Sequence, residues 1–324
     1  MKKSTGSGKR LIRAALVSAS VLTGCTSGKA TGSDHSGAVN PGDGSHAPPG
    51  RGKGRAATLQ DARSWVYQLQ NYPNRLNDIA ASRFQLAVVD YSADGSRPGK
   101  WTVHELKAAQ QNKLMLAYLS IGEAESYRSY WESSWKPGTP SWLVRENPDW
   151  AGNYVVQYWQ QDWQRVILGY LDEILAQGFD GVYLDIVDGY QNFPHRASAR
   201  QDMTAWVCRL SAYAKSRVKD FLIVPQNAAE LVQDNGYTRC IDGTGQEETF
   251  YQATNRATPQ DERLARLRYY AEFLRLGKPV FSVDYVNTSD GVGEAYSQAR
   301  ALKLVEYAAD VDLDALRIND GHDP

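Results

Sequence analysis

The sequence has few of the residues that build metal centres and nucleophilic hydrolase sites. Its 324 residues include three cysteines and five histidines. No CxxC spacing and no cluster of Cys and His is present, so no zinc site of ordinary spacing is expected. The histidines beyond residue 56, which are His104, His195 and His322, stand in no nucleophile-elbow motif, and this argues against Ser-His-Asp chemistry. We expect no metal and no other cofactor.

Near the N-terminus, the apolar segment LIRAALVSASVL is too short for a membrane span. It accompanies a basic stretch, and its last residue, Leu22, begins the tetrapeptide Leu-Thr-Gly-Cys, the order of a bacterial lipobox. Residues 1–25 are therefore predicted as a lipoprotein signal peptide with Cys25 as the lipidated residue. The alternative is an ordinary secretory signal in which Cys25 is incidental. Either signal predicts an exported protein, a cell-envelope lipoprotein or a secreted one, whose only membrane contact would be an N-terminal lipid anchor.

Aromatic residues are absent from residues 26–56, which consist mainly of Gly, Ser, Ala and Pro. Such a segment cannot bury a hydrophobic core, and we interpret it as a disordered tether. The folded body is therefore predicted to span residues 57–324.

Basic residues are in deficit in this body. Residues 1–56 contain nine Lys and Arg and two Asp, which leaves 27 basic and 35 acidic residues in 57–324. The resulting net charge of −8 argues against nucleic acid, which binds to basic surfaces. It is compatible with a cationic or neutral ligand.

From about residue 60, short β-rich apolar segments alternate with longer amphipathic patterns. The strand candidates begin at Trp65, Phe84, Lys113, Gly181, Phe221, Cys240, Pro279 and Leu313. Eight strands alternating with helices are typical of a (β/α)8 TIM barrel, which we predict. A doubly wound open sheet is the alternative, but the GxGxxG motif that would favour it does not follow the first strand.

A long aromatic-rich insertion follows the third predicted strand, at residues 126–161. It carries the tryptophans Trp131, Trp135, Trp142, Trp150 and Trp159. A loop of this length in a compact domain is usually functional. The aromatic residues either pack the insertion onto the barrel or line a groove in which they stack on sugar rings, and we expect both uses.

Carboxylates and amides recur where the predicted strands end, at the rim that carries the chemistry of barrel enzymes. They are Gln68, Asp90, Glu123 with Glu125, Asp185 with Asp188, Asn227 with Glu230, Glu247 with Glu248, Asp284 and Asp320. One such aspartate alone is commonly a helix cap or turn residue. Recurrence around one rim favours glycoside hydrolysis, which needs one protonated and one ionised carboxyl group. A hard cation at Asp185 and Asp188 is the chemical alternative.

Three motifs carry a resemblance to a known family. They are LAYLSIGEAESYRSYW from Leu116, GFDGVYLDIVDGY from Gly178 and IDGTGQEETFY from Ile241. In this order they resemble glycoside hydrolase family 114, the endo-α-1,4-polygalactosaminidase-like proteins. The resemblance covers most of residues 60–324.

The resemblance implies a TIM-barrel hydrolase that cuts α-1,4-linked galactosamine polymers, partly or fully N-acetylated. Its catalytic pair would be an Asp after strand four and a Glu after strand six, which are Asp185 and Glu247 here. Glu248 is the adjacent alternative, although successive residues of a strand point to opposite sides. By analogy with barrel α-galactosidases, Asp185 would be the nucleophile and Glu247 the acid/base of an endo-acting, retaining enzyme.

The candidate substrate-binding residues come from the rim and from the aromatic insertion. They are Asp90, Tyr118, Glu123, Trp159, Tyr183, Asp188, Asn227, Glu248 and Asp284. The predicted partner is an amino-sugar polysaccharide, and we expect a monomer. A carbohydrate-binding barrel without catalysis and a hydrolase of a different α-glycan are the alternatives.

Two details of the chain give further expectations. Strand alternation places Tyr183 on the same side as Asp185, so Tyr183 must point into the barrel if Asp185 points into the site. Cys208 and Cys240 form either a disulfide, as suits an exported protein, or two buried free thiols.

Overall fold

The computed structural model describes Ala56 and residues 58–324. The predicted signal peptide with Cys25, and the tether up to residue 55, lie outside these residues. Within the described part of the chain, no helix has the length and apolar character needed to cross a bilayer.

Short strands and longer helices alternate along the described chain. The strands are β1 (Trp65–Gln68), β2 (Leu86–Val89), β3 (Leu114–Ser120), β4 (Glu123–Glu125), β5 (Leu143–Asn147), β6 (Trp150–Val156), β7 (Gly181–Asp185), β8 (Leu222–Pro225), β9 (Thr244–Glu247), β10 (Tyr251–Gln252), β11 (Arg256–Ala257), β12 (Val280–Tyr285) and β13 (Val305–Ala309). The helices are α1 (Asn77–Ala81), α2 (Val103–Ala109), α3 (Gln161–Gln177), α4 (Ala199–Lys215), α5 (Tyr237–Cys240), α6 (Gln260–Arg275) and α7 (Ser289–Ala301).

Among the described strands, eight parallel ones form the barrel wall. They pair in the orders β1-β2-β3-β7-β8 and β13-β12-β9. A parallel bridge between Gln226 and Gly245 connects β8 to β9. At the other junction, Trp65 of β1 and Tyr307 of β13 have ring centroids 6.2 Å apart. The strands therefore follow one another around a (β/α)8 barrel, which confirms the predicted fold class.

Helix α3 shows how the outer helices cover this wall. Its buried residues include Trp163, Ile167, Leu171 and Ile174, at the three- and four-residue spacing that forms one helical face. The helix ends at Gly178, whose φ of 90° is in the left-handed region that glycine adopts without strain. The chain then turns directly into β7.

The inside of the barrel is filled by aromatic rings. Tyr183 of β7 packs against Trp65 and Tyr67, with ring centroids 6.0 and 5.1 Å away. A Cβ at Gly245 of β9 would lie 1.8 Å from the Tyr183 hydroxyl, so only glycine leaves room for this ring. Tyr183 therefore points into the barrel, and by alternation so does Asp185, as expected.

The eighth strand lies upstream of its predicted position. The segment from Leu313 to Asp320 forms no strand, while Val305–Ala309, which we interpreted as the end of a helix, pairs with β12 as β13. The Ala-rich segment continues the helical pattern of α7 in sequence. Helix α7 nevertheless ends at Ala301, and Lys303 with a φ of 62° redirects the chain into the strand.

The aromatic insertion is an ordered substructure. Strands β4, β6 and β5 form a three-stranded antiparallel sheet at the rim. Trp142 packs between Trp135 and Trp163, with ring centroids 4.8 and 5.0 Å away. These contacts show the packing use of the aromatic residues.

Cys208 of α4 and Cys240 at the end of α5 form a disulfide. Of the two alternatives from the sequence, the structure therefore has the cross-link.

Candidate active site

Two acidic residues lie at the carboxyl ends of β7 and β9, the strands on either side of β8 in the barrel wall. Asp185 is the last residue of β7, and Glu247 is the last residue of β9. Both carboxylates lie at the carboxyl rim, where barrel enzymes place their chemistry. Asp185 is 4% exposed and Glu247 is 5% exposed, so both are largely removed from water.

Three hydrogen-bond donors surround the Asp185 carboxylate. Oδ1 accepts from the backbone N–H of Ile186 at 2.8 Å and from Nε2 of Gln226 at 3.0 Å. Oδ2 accepts from the hydroxyl of Tyr118 at 2.7 Å. Burial raises the pKa of Asp185 to about 6, and the hydrogen bonds from Tyr118 and Ile186 oppose the rise because they stabilise the ionised form.

Glu247 is held by a different set of donors. Its Oε2 accepts from Nε2 of Gln226 at 2.6 Å and from Nδ2 of Asn227 at 2.8 Å, and its Oε1 accepts from the hydroxyl of Tyr285. The Glu247 backbone N–H donates to Oδ1 of Asn227 at 3.1 Å, so the Asn227 amide contacts Glu247 twice. Burial, together with the negative charge of Asp185, raises the pKa of Glu247 well above its ordinary value.

The backbone is unusual where these strands end. Ile186, Asn227, Ala228 and Glu248 all have positive φ values, of 56°, 61°, 47° and 56°. Non-glycine residues adopt this region at a cost, and such residues cluster at functional sites. These residues lie just after β7, β8 and β9. In this part of the rim, the backbone therefore adopts a conformation of higher energy in order to place the side chains.

Beside the pair, a cavity of about 420 Å³ opens between β4, the β5–β6 hairpin and the segment after β7. Glu123 and Asp188 line it from the barrel side. Oε1 of Glu123 accepts from Nδ2 of Asn147 at 2.9 Å, whereas its buried Oε2 has no hydrogen-bond donor among the described residues. Burial raises the pKa of Glu123 to about 7, and burial with the charge of Asp185 raises that of Asp188 to about 7.

Asp90, another predicted substrate-binding residue, is engaged inside the protein. Its Oδ2 lies 2.5 Å from Nη1 of Arg128, whose Nε contacts Oε2 of Glu125 at 2.7 Å. The side chains of Asp90, Arg128 and Glu125 are 3%, 1% and 2% exposed. This buried ion triad anchors the start of the insertion to β2.

Asp284 and Glu248 also contact backbone groups. Oδ1 of Asp284 accepts from the N–H groups of Phe250 and Tyr251 at 2.6 and 2.7 Å, which fixes the loop after β9. Oε1 of Glu248 accepts from the N–H of Ala253 at 2.8 Å. The structure brings Glu247, rather than Glu248, into contact with the amide that also binds Asp185.

Trp159 lies apart from this cluster. It is half-buried, with the guanidinium of Arg196 4.1 Å from its ring centroid and the ring of Phe193 4.7 Å away. The cavity is instead lined by Trp150 of the β5–β6 hairpin.

Gln226 and Tyr285 were not predicted as site residues. Gln226 directly follows the apolar strand β8, and Tyr285 ends β12 directly after Asp284. Both positions could have been found by the rule that identified Asp185, since they occur at the carboxyl end of a barrel strand. Within the described residues, no group of three or more His, Cys, Asp or Glu side chains is arranged to hold a metal ion.

Comparison with known proteins gives concordant results. The model of glycoside-hydrolase family GH114 matches residues 48–322. An uncharacterised protein of Deinococcus radiodurans is 45% identical over 262 residues, covering 81% of this chain and 84% of that protein. An uncharacterised protein of Thermotoga maritima is 36% identical over 278 residues, covering 81% and 85%.

Two solved structures share the fold. The glycoside hydrolase domain of PelA from Pseudomonas aeruginosa has a TM-score of 0.62 and 17% identity, covering 80% of this chain and 98% of that one. Aspergillus fumigatus Ega3 in complex with galactosamine has a TM-score of 0.59 and 20% identity, covering 81% and 98%.

Proposed function

Because the chain belongs to glycoside-hydrolase family GH114 and is an O-glycoside hydrolase, we propose that it cleaves α-1,4 linkages within polymers of galactosamine and N-acetylgalactosamine. We assign catalysis to Asp185 and Glu247, with endo action and retention of configuration. The observation that carries this proposal is the contact of one buried amide, Gln226, with both carboxylates.

The surroundings of the two carboxylates support different roles. Both carboxylates accept three hydrogen bonds, but the pKa of Asp185 is raised only to about 6, which leaves it in the ionised form that a nucleophile needs near neutral pH. The pKa of Glu247 is raised by its burial and by the neighbouring Asp185, which favours the protonated form that an acid needs.

In the first step, Asp185 attacks the anomeric carbon while the Glu247 proton moves to the departing glycosidic oxygen, leaving a glycosyl ester on Asp185. In the second step, Glu247 takes a proton from water. The resulting hydroxide oxygen bonds to the anomeric carbon, and Asp185 leaves as a carboxylate.

The geometry of the pair supports retention. Nε2 of Gln226 lies 3.0 Å from Oδ1 of Asp185 and 2.6 Å from Oε2 of Glu247. These two oxygens cannot be farther apart than the sum of the two distances. Retaining enzymes have carboxyl groups roughly 5–5.5 Å apart, whereas inverting enzymes leave about 6.5–9.5 Å for a water molecule.

The charge of the cavity supports an amino-sugar substrate. Its walls include the acidic residues Glu123, Glu146, Asp149 and Asp188, against one cationic residue, Arg145. A free 2-amino group is a cation near neutral pH, and Oε2 of Glu123 is a buried acceptor without a donor among the described residues. Ega3, which shares the fold, has been solved with galactosamine. We therefore assign amino-sugar contacts to Glu123 and Asp188.

The remaining predicted binding residues have less direct parts in this proposal. Tyr118 and Asn227 hold the catalytic carboxylates, and Tyr183 packs against Tyr67 inside the barrel, two residues before Asp185 on the same strand. The carboxylates of Asp90, Glu248 and Asp284 accept hydrogen bonds from the protein itself and would shape the rim. Trp159 would reach only a distal sugar of the polymer.

Product analysis on fully acetylated, partly acetylated and unacetylated galactosamine polymers tests the function. We expect short oligosaccharides from at least one polymer with the wild type and none with Glu247→Gln. Asp172→Asn, a change on the exposed face of α3, serves as the control and should act like the wild type. Polymer binding without turnover would support a carbohydrate-binding barrel, and turnover only of another α-glycan would refute the substrate.

Export to the cell envelope is the remaining part of the proposal. The Cys208–Cys240 disulfide supports it, because such bonds persist mainly in oxidising compartments. Residues 1–25 would be the signal peptide, Cys25 the lipidated residue, 26–56 the tether and 57–324 the enzyme. Cys25→Ser should release the protein from the membrane fraction into the medium, whereas unchanged fractionation would contradict lipidation.

A further inference from the structure

We infer that Gln226 is a positioning residue that assigns the proton of the catalytic pair to Oε1 of Glu247 by donating one N–H bond to each carboxylate. This inference rests on the proposed function of the same site. It concerns a residue that contacts Asp185 and Glu247 and no reacting atom.

The Gln226 amide has a single orientation compatible with its neighbours. Its Nε2 carries two hydrogens and lies within hydrogen-bond distance of Oδ1 of Asp185 and Oε2 of Glu247. The reverse orientation would place the amide oxygen against Oδ1 of the ionised Asp185, so that two acceptors would face each other. Gln226 is fully buried, and its own oxygen has no donor among the described residues, so the two N–H bonds hold the side chain.

The two oxygens of Glu247 are consequently unequal. Oε2 accepts from both Gln226 and Asn227, at 2.6 and 2.8 Å, and these bonds use both of its lone pairs in the carboxyl plane. A proton on Oε2 would displace one of the two amides. Within the described part of the chain, Oε1 has one hydrogen-bond partner, the hydroxyl of Tyr285, which can accept a hydrogen bond as well as donate one. The proton therefore belongs on Oε1.

The two oxygens of the Asp185 carboxylate are unequal in the same way. Its Oδ1 accepts from Gln226 and from the N–H of Ile186, while its Oδ2 keeps a lone pair beyond the bond from Tyr118. Gln226 thus turns one oxygen of each acid into a pure acceptor. It leaves Oδ2 of Asp185 and Oε1 of Glu247 for the chemistry.

Other groups that titrate or carry charge surround the pair and are unchanged by a substitution at Gln226. They are Tyr67 of β1, Tyr118 of β3, Glu123 and Glu125 of β4, Tyr183 of β7, Asp188 after β7, Glu248 after β9, Arg266 of α6 and Tyr285 of β12. A change in the titration of Asp185 and Glu247 after such a substitution would therefore report on the amide.

The test compares Gln226→Met with Gln246→Met in the full chain. Methionine keeps the length of the side chain and removes the N–H donors. Gln246 is also buried, but it contacts Thr244 and the Asn227 carbonyl instead of the acids. Carboxyl ¹³C chemical shifts are followed against pH, and Asp185→Asn and Glu247→Gln identify the two signals. This readout needs no substrate, so it distinguishes failure of this inference from failure of the proposed function.

Removal of a donor that stabilises the ionised forms should raise the pKa of both Asp185 and Glu247 in Gln226→Met and of neither in Gln246→Met. On a polymer that the wild type cleaves, both limbs of the kcat/KM profile should move to higher pH. The maximum should fall about 10- to 100-fold, the effect of losing a hydrogen bond to a charged group.

Gln226→Glu provides a second variant that keeps the shape of the side chain and should raise the same two pKa values. If both Gln226 variants titrate at Asp185 and Glu247 like the wild type, the inference is overturned and Gln226 is only a packing residue.

Discussion

Two parts of the same rim bury carboxylates and satisfy them in different ways. The β2–β4 rim, formed by Asp90, Glu125 and Arg128, places a guanidinium between two acids. In the β7–β9 rim, formed by Asp185, Gln226, Asn227 and Glu247, the donors to the two carboxylates among the described residues are neutral amides and hydroxyls, and Arg266 contacts Glu247 at its backbone oxygen. A cation neutralises the buried charge, whereas neutral donors leave the pair short of positive charge. Of the two rims, the β7–β9 rim is the one that favours a state in which its two carboxyl groups share one proton.

The comparison distinguishes a stabilising carboxylate from a reactive one. Burial raises the pKa of Asp90, and the charge of Arg128 opposes this rise. Burial and the charge of Asp185 both raise the pKa of Glu247, and hydrogen bonds from neutral groups, among them Tyr285 and Asn227, oppose this rise. Perturbed acids without a compensating cation are therefore the better candidates for acid/base chemistry.

The largest expected effect is on activity, at the β7–β9 rim. Asp185→Asn should lower kcat by about 10⁴-fold or more, because the amide cannot attack the anomeric carbon. The free energy of unfolding at pH 8 should not fall, since a buried charge is removed. Steady-state kinetics and urea unfolding measure the two effects, and a variant with near wild-type turnover would refute the assignment of Asp185.

The next effect is on stability, at the β2–β4 rim. Arg128→Met should lower the free energy of unfolding by about 3–5 kcal/mol, because Asp90 and Glu125 would be buried without a counter-charge. Arg217→Met breaks the exposed pair with Asp172 and should cost less than about 1 kcal/mol. Equal losses in the two variants would show that the buried triad has no special role.

The sequence located the acids but could not distinguish their roles. Asp90 and Asp185 both follow an apolar strand, and periodicity alone predicts both at the rim. Their difference depends on Arg128 and Gln226, which are 38 and 41 residues away in sequence and meet the acids only in the folded barrel. The eighth strand was misplaced for a related reason, because its pairing with β12 prevailed over the helical pattern of the segment.

A third effect should appear at Glu123, which is 2% exposed and whose Oε2 has no hydrogen-bond donor among the described residues. Its pKa is raised from 4.5 to about 7, so the folded state holds a proton that the unfolded state has already lost. Stability from this proton is complete below about pH 4.5 and is lost as the pH rises through about 7. The free energy of unfolding of Glu123→Gln should therefore exceed that of the wild type by about 3 kcal/mol at pH 8 and equal it at pH 4.

Urea unfolding at the two pH values measures this difference. The exposed Glu132→Gln should show no such pH-dependent gain. A loss of stability in Glu123→Gln at pH 8 would instead indicate that the ionised carboxylate stabilises the free protein.

The smallest expected effect links Glu123 to substrate binding. Below about pH 7 its carboxyl is neutral and attracts an amino-sugar cation less, so KM for unacetylated polymer should fall as the pH rises through 7. The cavity is open to water, and the change should not exceed about fivefold, as for a solvent-accessible ion pair. Glu123→Gln should lose this pH dependence of KM. Both proteins are measured on the same polymer, so the titration of the substrate amine affects them equally. An identical pH dependence of KM in the two proteins would place the amino group elsewhere on the rim.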